Sequence, residues 1–436
     1  MESERLKISG QVTISTENVE EIKKEVKNIP DLRIQVEQVL AENATEILAV
    51  TLTGAISLDS SDIHIEPEEE QAKLRIRMDG LLHDVMELDL KIFKTLLSRI
   101  KLLSGLKLNI SNRPQDGRFT ILMGEITIEI RASTLPAEHG ESIVLRILNP
   151  KNLIEIKDLG LRKDLVEVFE KEIQKPNGMI IITGPTGSGK TTTLYAFLKR
   201  INQPEIKIIT IEDPIEYHLK GVSQTQVDPQ RGYSFASGLR SIMRQDPDVI
   251  LVGEIRDKET AEIALQAALT GHLVFSTLHT NDAAGAVARL VDLGVRPISI
   301  APAITMVVAQ RLPRKVCRKC VKFLPPTPEE IKRIKKGLSS IRKEILPVSL
   351  SYPNLKIPKA QSCKDCNNTG YKGRIGIFED FLVDDEMEKF ILSSPSIVAM
   401  RELAIKKGML LMHRDGLIKV LEGITTIEEI ERVTGE

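Results

Sequence analysis

The chain has 436 residues, of which 42% are apolar and 28% charged, and a formal net charge of −1. That length accommodates roughly two or three domains with ample cores, and the near-neutral charge gives no general reason to expect nucleic acid as a partner. Aromatic residues make up 3% and Trp is absent, so a stacking platform for single-stranded bases is also unsupported.

The first ten residues, MESERLKISG, contain no apolar h-region, so no signal peptide is expected. The longest nearly apolar stretch, residues 298–309, is interrupted by Ser299, Pro302 and Thr305 and is too short to span a bilayer. A cytoplasmic protein is the expectation.

Residues 1–35 are polar with weak periodicity and read as a tail or the remnant of an upstream domain. Val36, Val39, Leu40, Ile47, Leu48, Leu52 and Ile56 then suggest a helix. Lys73 to Met78 alternates strictly between basic and apolar residues, which predicts a strand with Leu74, Ile76 and Met78 facing a core. Asp79-Gly80 is a tight-turn signal, and residues 81–85 should return as the hairpin partner. Ile92, Phe93, Leu96, Leu97, Ile100 and Leu103 repeat at helical spacing, and a second alternating strand is expected over 125–131. Residues 36–150 therefore read as a small α+β domain, followed by a hinge at 151–160.

Beyond the hinge, apolar strands alternate with helices, the pattern of a mostly parallel sheet, with candidate strands at 179–183, 206–211, 249–252 and 273–277. The first of these runs into GPTGSGKTTT, which fits the phosphate-binding pattern G-x-x-x-x-G-K-[ST]. Strand, glycine-rich turn and helix leave backbone N–H groups free to hold an anion. Gly184, Pro185, Thr186, Gly187, Ser188, Gly189, Lys190, Thr191 and Thr192 are the expected nucleotide contacts. Lys190 should reach the β- and γ-phosphates, and the Thr191 hydroxyl should ligate Mg²⁺.

Ligands of parallel sheets sit at the carboxyl ends of the strands, and Glu212 and Glu254 occupy two such ends. One should help hold Mg²⁺ and the other position the attacking water, unless either is only a solvated strand end. His272 and His279 flank the last candidate strand and could be plain structural hydrogen-bonding groups. Residues 311–344 carry twelve Lys/Arg against three Glu, and Pro313, Pro325, Pro326 and Pro328 make the segment an excursion from the sheet. All four cysteines form two C-x-x-C pairs, Cys317/Cys320 and Cys363/Cys366. Such knuckles suit tetrahedral thiolate coordination of Zn²⁺ in a closed structural site, with disulfides as the alternative. Helical patterning returns over 380–436.

These motifs together resemble a known family. MRQDPDVILVGEIRD (243–257) is similar to the signature of the bacterial type II secretion and type IV pilus assembly ATPases. ITIEDPIEY (209–217) resembles that family's aspartate box, and GHLVFSTLHTNDA (271–283) its histidine box. SDIHIEP (61–67), NRPQDGR (112–118) and LPAEHGESIVLRIL (135–148) resemble its N-terminal domain. GYKGRIGIFE (370–379) and DGLIKVLEGITTIEEIERV (415–433) also match, so the resemblance covers roughly residues 45 to 435.

The resemblance implies an α/β fold: a RecA-like P-loop motor over 161–436, with a metal-binding insert at 311–370 and a helical subdomain at 380–436, behind a PAS-like domain at 36–150. It makes Glu254 the acid that reaches Mg²⁺ through water and Glu212 the favoured general base, although the residues themselves allow the reverse. It links His272 and His279 to the γ-phosphate and to coupling between subunits. It also assigns cationic-finger roles to Arg113 and Arg118 first, then to Arg75 and Arg77, where a solvated face is the plain alternative for them and for Arg131. The tetracysteine insert is a feature of secretion and pilus-extension members and is usually lacking in retraction ATPases. The implied function is an ATP-hydrolysing homohexamer using ATP, Mg²⁺ and Zn²⁺. It would work on an inner-membrane platform protein with a membrane-docking adaptor, peripheral to the inner membrane through its partners. A retraction ATPase is the alternative, and a zinc-stabilised motor acting on nucleic acid a more distant one.

Overall fold

The computed structural model describes residues 10–124, 126–339, 341, 345–346 and 355–435. Residues 1–9 of the expected tail, Glu125 of the second alternating strand, and Arg342 and Lys343 of the basic segment lie outside the described residues. The chain divides into two compact units, Met1–Lys151 with Gln361–Gly370, and Asn152–Ala360 with Tyr371–Glu436.

In the first unit the chain runs β1 (Gln11–Ile14), α1 (Thr16–Glu25), α2 (Ile29–Gln38), α3 (Ala44–Ser57), β2 (Asp62–Pro67), β3 (Gln71–Met78), β4 (Leu81–Asp89), α4 (Leu90–Leu103), β5 (Gln115–Met123), β6 (Ile126–Ala137) and β7 (Gly140–Leu148). Its sheet has the order β1-β5-β6-β7-β2-β3-β4, with β1 parallel to β5 and the other neighbours antiparallel. Residues 10–35 are thus not a tail. Val12, Ile14, Val19, Ile22, Val26 and Leu32 are buried in the same core as the sheet. The weak periodicity has a local cause: this stretch is a four-residue strand and two ten-residue helices, each too short to repeat its apolar face clearly. The single helix expected over 36–56 is broken in two because the Asn43 side chain accepts from the Thr45 and Glu46 N–H groups and starts α3 afresh.

The β3–β4 hairpin turns through Asp79 and Gly80, with φ of 49° and 84°. Both lie in the left-handed region, as a two-residue hairpin turn requires. The basic face of β3 is neutralised by its neighbours: Lys73 pairs with Glu68 at 2.6 Å, Arg75 with Glu66, and Arg77 with Asp62 at 3.6 Å.

The second unit continues with α5 (Lys163–Glu172), β8 (Gly178–Thr183), α6 (Lys190–Ile201), β9 (Ile208–Glu212), β10 (Ser223–Gln226), α7 (Phe235–Met243), β11 (Val249–Val252), α8 (Lys258–Leu269), β12 (Leu273–Leu278), α9 (Ala284–Asp292), α10 (Pro297–Ile300) and β13 (Ile304–Arg311). Then come β14 (Arg314–Val316), β15 (Lys322–Leu324), α11 (Pro328–Leu338), β16 (Ile357–Lys359), β17 (Tyr371–Arg374), β18 (Ile377–Leu382) and the helices α12 (Asp385–Leu392), α13 (Ile397–Lys406), α14 (Met412–Leu421) and α15 (Ile427–Thr434). The main sheet has the order β10-β9-β11-β12-β8-β13-β18, parallel except for the final pair. β8 is buried along its whole length, which is why it reads as an unbroken apolar run.

Three strands of this sheet escape the sequence pattern. β10 is the polar edge run SQTQ, and β18 is the antiparallel partner at the other edge. β13 begins inside the apolar stretch 298–309 and ends on Arg311, so the basic excursion begins after that residue. The excursion forms two small antiparallel pairs, β14 with β17 and β15 with β16. Arg314 secures it by forking onto Glu429 of α15 at 3.0 and 2.7 Å while its guanidinium lies 4.2 Å from the Tyr371 ring centre.

Candidate nucleotide site and cysteine cluster

β8 delivers the chain into the glycine-rich loop, and Gly189, at φ 89°, starts α6 with no side-chain cap. The first amide groups of that helix are therefore available to an anion. Two glycines are dictated by space. A Cβ on Gly184 would stand 2.6 Å from Ser188 Oγ and 2.7 Å from the Gln310 carbonyl oxygen, and one on Gly189 would stand 2.8 Å from Gln310 Nε2. Ser188 Oγ is buried without a hydrogen-bond partner among the described residues. Lys190 Nζ donates to the Gly184 and Pro185 carbonyls at 2.8 and 3.1 Å. Burial pulls its pKa down to about 8, against the opposing charge of Glu254. Unpaired donors and a desolvated cation around one loop fit a polyphosphate. Pro185, Thr186 and Gly187 are exposed on the loop, and Thr191 and Thr192 are half-buried in the first turn of α6.

Because β8, β12, β11 and β9 are parallel, their carboxyl ends bring Gly184, His279, Glu254 and Glu212 to one edge of the sheet. Glu254 faces His279, with Oε2 3.3 Å from Nε2, and also pairs with Arg256. With neighbouring strands ~4.8 Å apart, β11 lies about 10 Å and β9 about 14 Å across the sheet from β8. Glu254 is thus the acid whose field reaches Lys190.

Glu212 is held differently. It is 3% exposed, and its carboxylate accepts from Tyr195 Oη, from Thr210 Oγ1 at 2.6 Å and from Gln224 Nε2 at 3.2 Å. Burial raises its pKa above the usual carboxylate range, and the three donors pull it back. Oε1 receives two donors and Oε2 one, which leaves one acceptor position on the carboxylate. Tyr195 lies on the helix that the phosphate loop starts, so it ties that helix to the Glu212 strand. If Glu212 must be ionised to act, activity falls as pH drops through its pKa. Tyr195→Phe removes a donor that lowers that pKa, so the acid limb of the kcat–pH profile should move to higher pH, with kcat at neutral pH down about 10-fold and KM little changed. An unmoved limb would show that the contact does not tune the carboxylate.

The two histidines do not lie together. His272 precedes β12, its carbonyl accepts from the Gly178 amide at the start of β8, and its Nδ1 lies 3.0 Å from the Ala267 carbonyl oxygen. The length of β12 separates it by about 20 Å from the loop end of the strand, so His272 is removed from the phosphates of its own site. His279 alone joins Glu254. In the first unit, Arg75 and Arg77 are engaged by Glu66 and Asp62, whereas Arg113 and Arg118 are exposed.

Sequence reasoning missed the residues that brace the loop. Thr183 Oγ1 meets Thr280 Oγ1 at 2.7 Å and accepts the Thr280 amide at 2.9 Å, joining β8 to the turn after His279. Gln310 accepts from Thr193 at 2.8 Å. The only signals were polar residues at strand ends beside the loop.

The four cysteine Sγ atoms of Cys317, Cys320, Cys363 and Cys366 lie within 4.8 Å of one another. The 3.6 Å between the Cys363 and Cys366 sulfurs far exceeds a disulfide bond and is close to the ~3.8 Å edge of a tetrahedral zinc–thiolate site. Cys366 Sγ also accepts the Gly370 amide at 3.3 Å, a contact that favours thiolate. The cluster suits zinc.

The family described as Type II/IV secretion system protein matches residues 37–432. The type IV pilus assembly ATPase PilB of Thermus thermophilus is 44% identical over 388 residues, which are 89% of this chain and 42% of that protein. The type II secretion system protein E of Aeromonas hydrophila is 43% identical over 391 residues, 89% of this chain and 75% of that protein. The chain therefore spans under half of the first relative and three quarters of the second. Among solved structures, the pilus retraction motor PilT with bound ADP aligns with a TM-score of 0.59 at 28% identity, over 87% of this chain and 95% of that one. The Legionella pneumophila ATPase DotB aligns with a TM-score of 0.63 at 23% identity, over 88% of this chain and 94% of that one, a likeness of fold.

Proposed function

This chain belongs to the type II/IV secretion ATPase family, and from that premise we propose that it hydrolyses ATP to drive assembly of a pilus or pseudopilus. The observation that carries the reading is the phosphate loop, with its desolvated Lys190 and orphaned Ser188 hydroxyl, facing two acids at the same sheet edge. Lys190 and the loop amides bind and orient the triphosphate. Mg²⁺, held by Thr191 and through water by Glu254, would supply charge neutralisation at the phosphates. Glu212, oriented by its three donors, takes the proton of the attacking water, and His279 positions Glu254.

The chain works as a homohexamer on an inner-membrane platform protein, with a docking adaptor at the membrane and the zinc-bearing insert stabilised by its four thiolates. Arg113 and Arg118, exposed and outside any ion pair among the described residues, complete a neighbouring subunit's site. No helix among the described residues is long and apolar enough to cross a membrane, which is compatible with attachment through partners. The retraction reading is set aside because the relatives at 43–44% identity are assembly and secretion proteins, against 28% for PilT. The purified chain should release phosphate from MgATP at a specific rate that rises with protein concentration while hexamers form. A specific rate independent of concentration across that range would remove the shared-site part of the proposal.

A further inference from the structure

The loop has a second cation beside Lys190 that the motifs do not single out. β13 pairs in parallel with β8, placing Ala309 opposite Thr183, so Arg311 closes its strand at the level where the phosphate loop begins. A Cβ built on Gly184 would lie 3.2 Å from Arg311 Nη1. The guanidinium is fixed by two backbone carbonyls: Nη1 donates to Gln310 at 3.0 Å and Nη2 to Asn281 at 2.7 Å. No carboxylate among the described residues comes within ion-pair distance of it.

The two acids whose charges reach Arg311 are committed elsewhere. Glu379 accepts the Ala283 and Met412 amides at 3.0 and 3.3 Å. Asp282 pairs with Arg401 and accepts the Gly285 amide at 2.8 Å. Arg311 is half-buried, and burial lowers its pKa. Its charge also depresses Lys190, so two like charges act on one loop beside the unpartnered, buried Ser188 hydroxyl. Mutual repulsion of partly desolvated cations is unfavourable until an anion with several charges lies between them. Of five guanidinium N–H donors, the backbone takes two, leaving a planar fork of the kind that binds phosphate oxygens.

We propose that Arg311 is a second phosphate-binding cation of the nucleotide site, supplied by the same chain and acting on the terminal phosphates together with Lys190. The proposal rests on the nucleotide reading of the loop. It differs from a finger supplied by the first unit of a neighbour, because Arg311 stands on the strand paired with β8, beside the phosphate loop of its own chain.

The test is equilibrium binding of ATP, ADP and AMP in Mg²⁺ to the full chain and to Arg311→Gln and Arg311→Lys, with thermal melts to establish folding. Arg311→Gln should weaken ATP about 10- to 100-fold, the loss of a charge-assisted contact, weaken ADP less and leave AMP nearly unchanged. Arg311→Lys keeps the charge but not the fork and should lose about threefold to tenfold for ATP. If Arg311→Gln fails to fold, Arg311→Lys carries the comparison. An ATP-to-AMP preference unchanged from wild type in a folded variant overturns the proposal, as does an equal loss for all three nucleotides. A wild-type chain that binds none of them would instead refute the nucleotide reading itself.

Discussion

Glu212→Gln is expected to retain MgATP binding within about twofold and to lose turnover by about 10²- to 10⁴-fold, the range for removal of a general base. The buried carboxylate is held by three donors and has one acceptor position left, and the amide keeps its shape while losing its basicity. The substitution also turns an NH₂ group toward donors, so a stability loss of about 1–3 kcal/mol should accompany it. Glu254→Gln separates the two acids. Its effect should appear as a raised Mg²⁺ requirement, because Glu254 lies with His279 and acts on Lys190. Turnover near wild type in a folded Glu212→Gln chain would transfer the base role to Glu254.

Cys363→Ser should release the metal. Elemental analysis of the wild-type chain is expected to give about one zinc per subunit, and structural zinc sites carry apparent binding energies of about 10–16 kcal/mol. Replacing one thiolate by a hydroxyl leaves three good ligands and exposes the site to exchange, so the variant should lose zinc to a chelator that leaves wild type intact. Melting of the insert should fall with it. Nucleotide affinity should change little, since no cysteine belongs to the phosphate loop or its braces. Absence of zinc together with four titratable thiols would contradict the assignment.

The phosphate loop and the four central strands were legible because parallel strands buried on both faces write mostly apolar runs and because Gly184 and Gly189 sit where a Cβ has no room. The Asp79-Gly80 hairpin was legible through its turn chemistry. Residues 10–38 were not, because their elements are short and Val12, Leu32 and Val36 are buried in a core built with elements distant in the chain. β10 hid behind a polar sequence at a sheet edge, and β13 begins in an apolar stretch that it shares with most of α10. At the site, spacing located Glu212 and Glu254 but could not reveal the Tyr195–Thr210–Gln224 cage, which joins residues from a helix and two strands. His272 and His279 look equivalent on either side of a strand. Only the strand's direction relative to β8 separates the one near the loop from the one at the far end.

The central claim is that this loop binds and turns over ATP, and steady-state phosphate release by wild type and Lys190→Ala at matched protein concentration tests it most directly. Lys190 supplies the point charge on the β- and γ-phosphates, so the account predicts Mg²⁺-dependent release by wild type and release at the level of the protein-free control for Lys190→Ala. Equal release by a folded Lys190→Ala chain and wild type would contradict it.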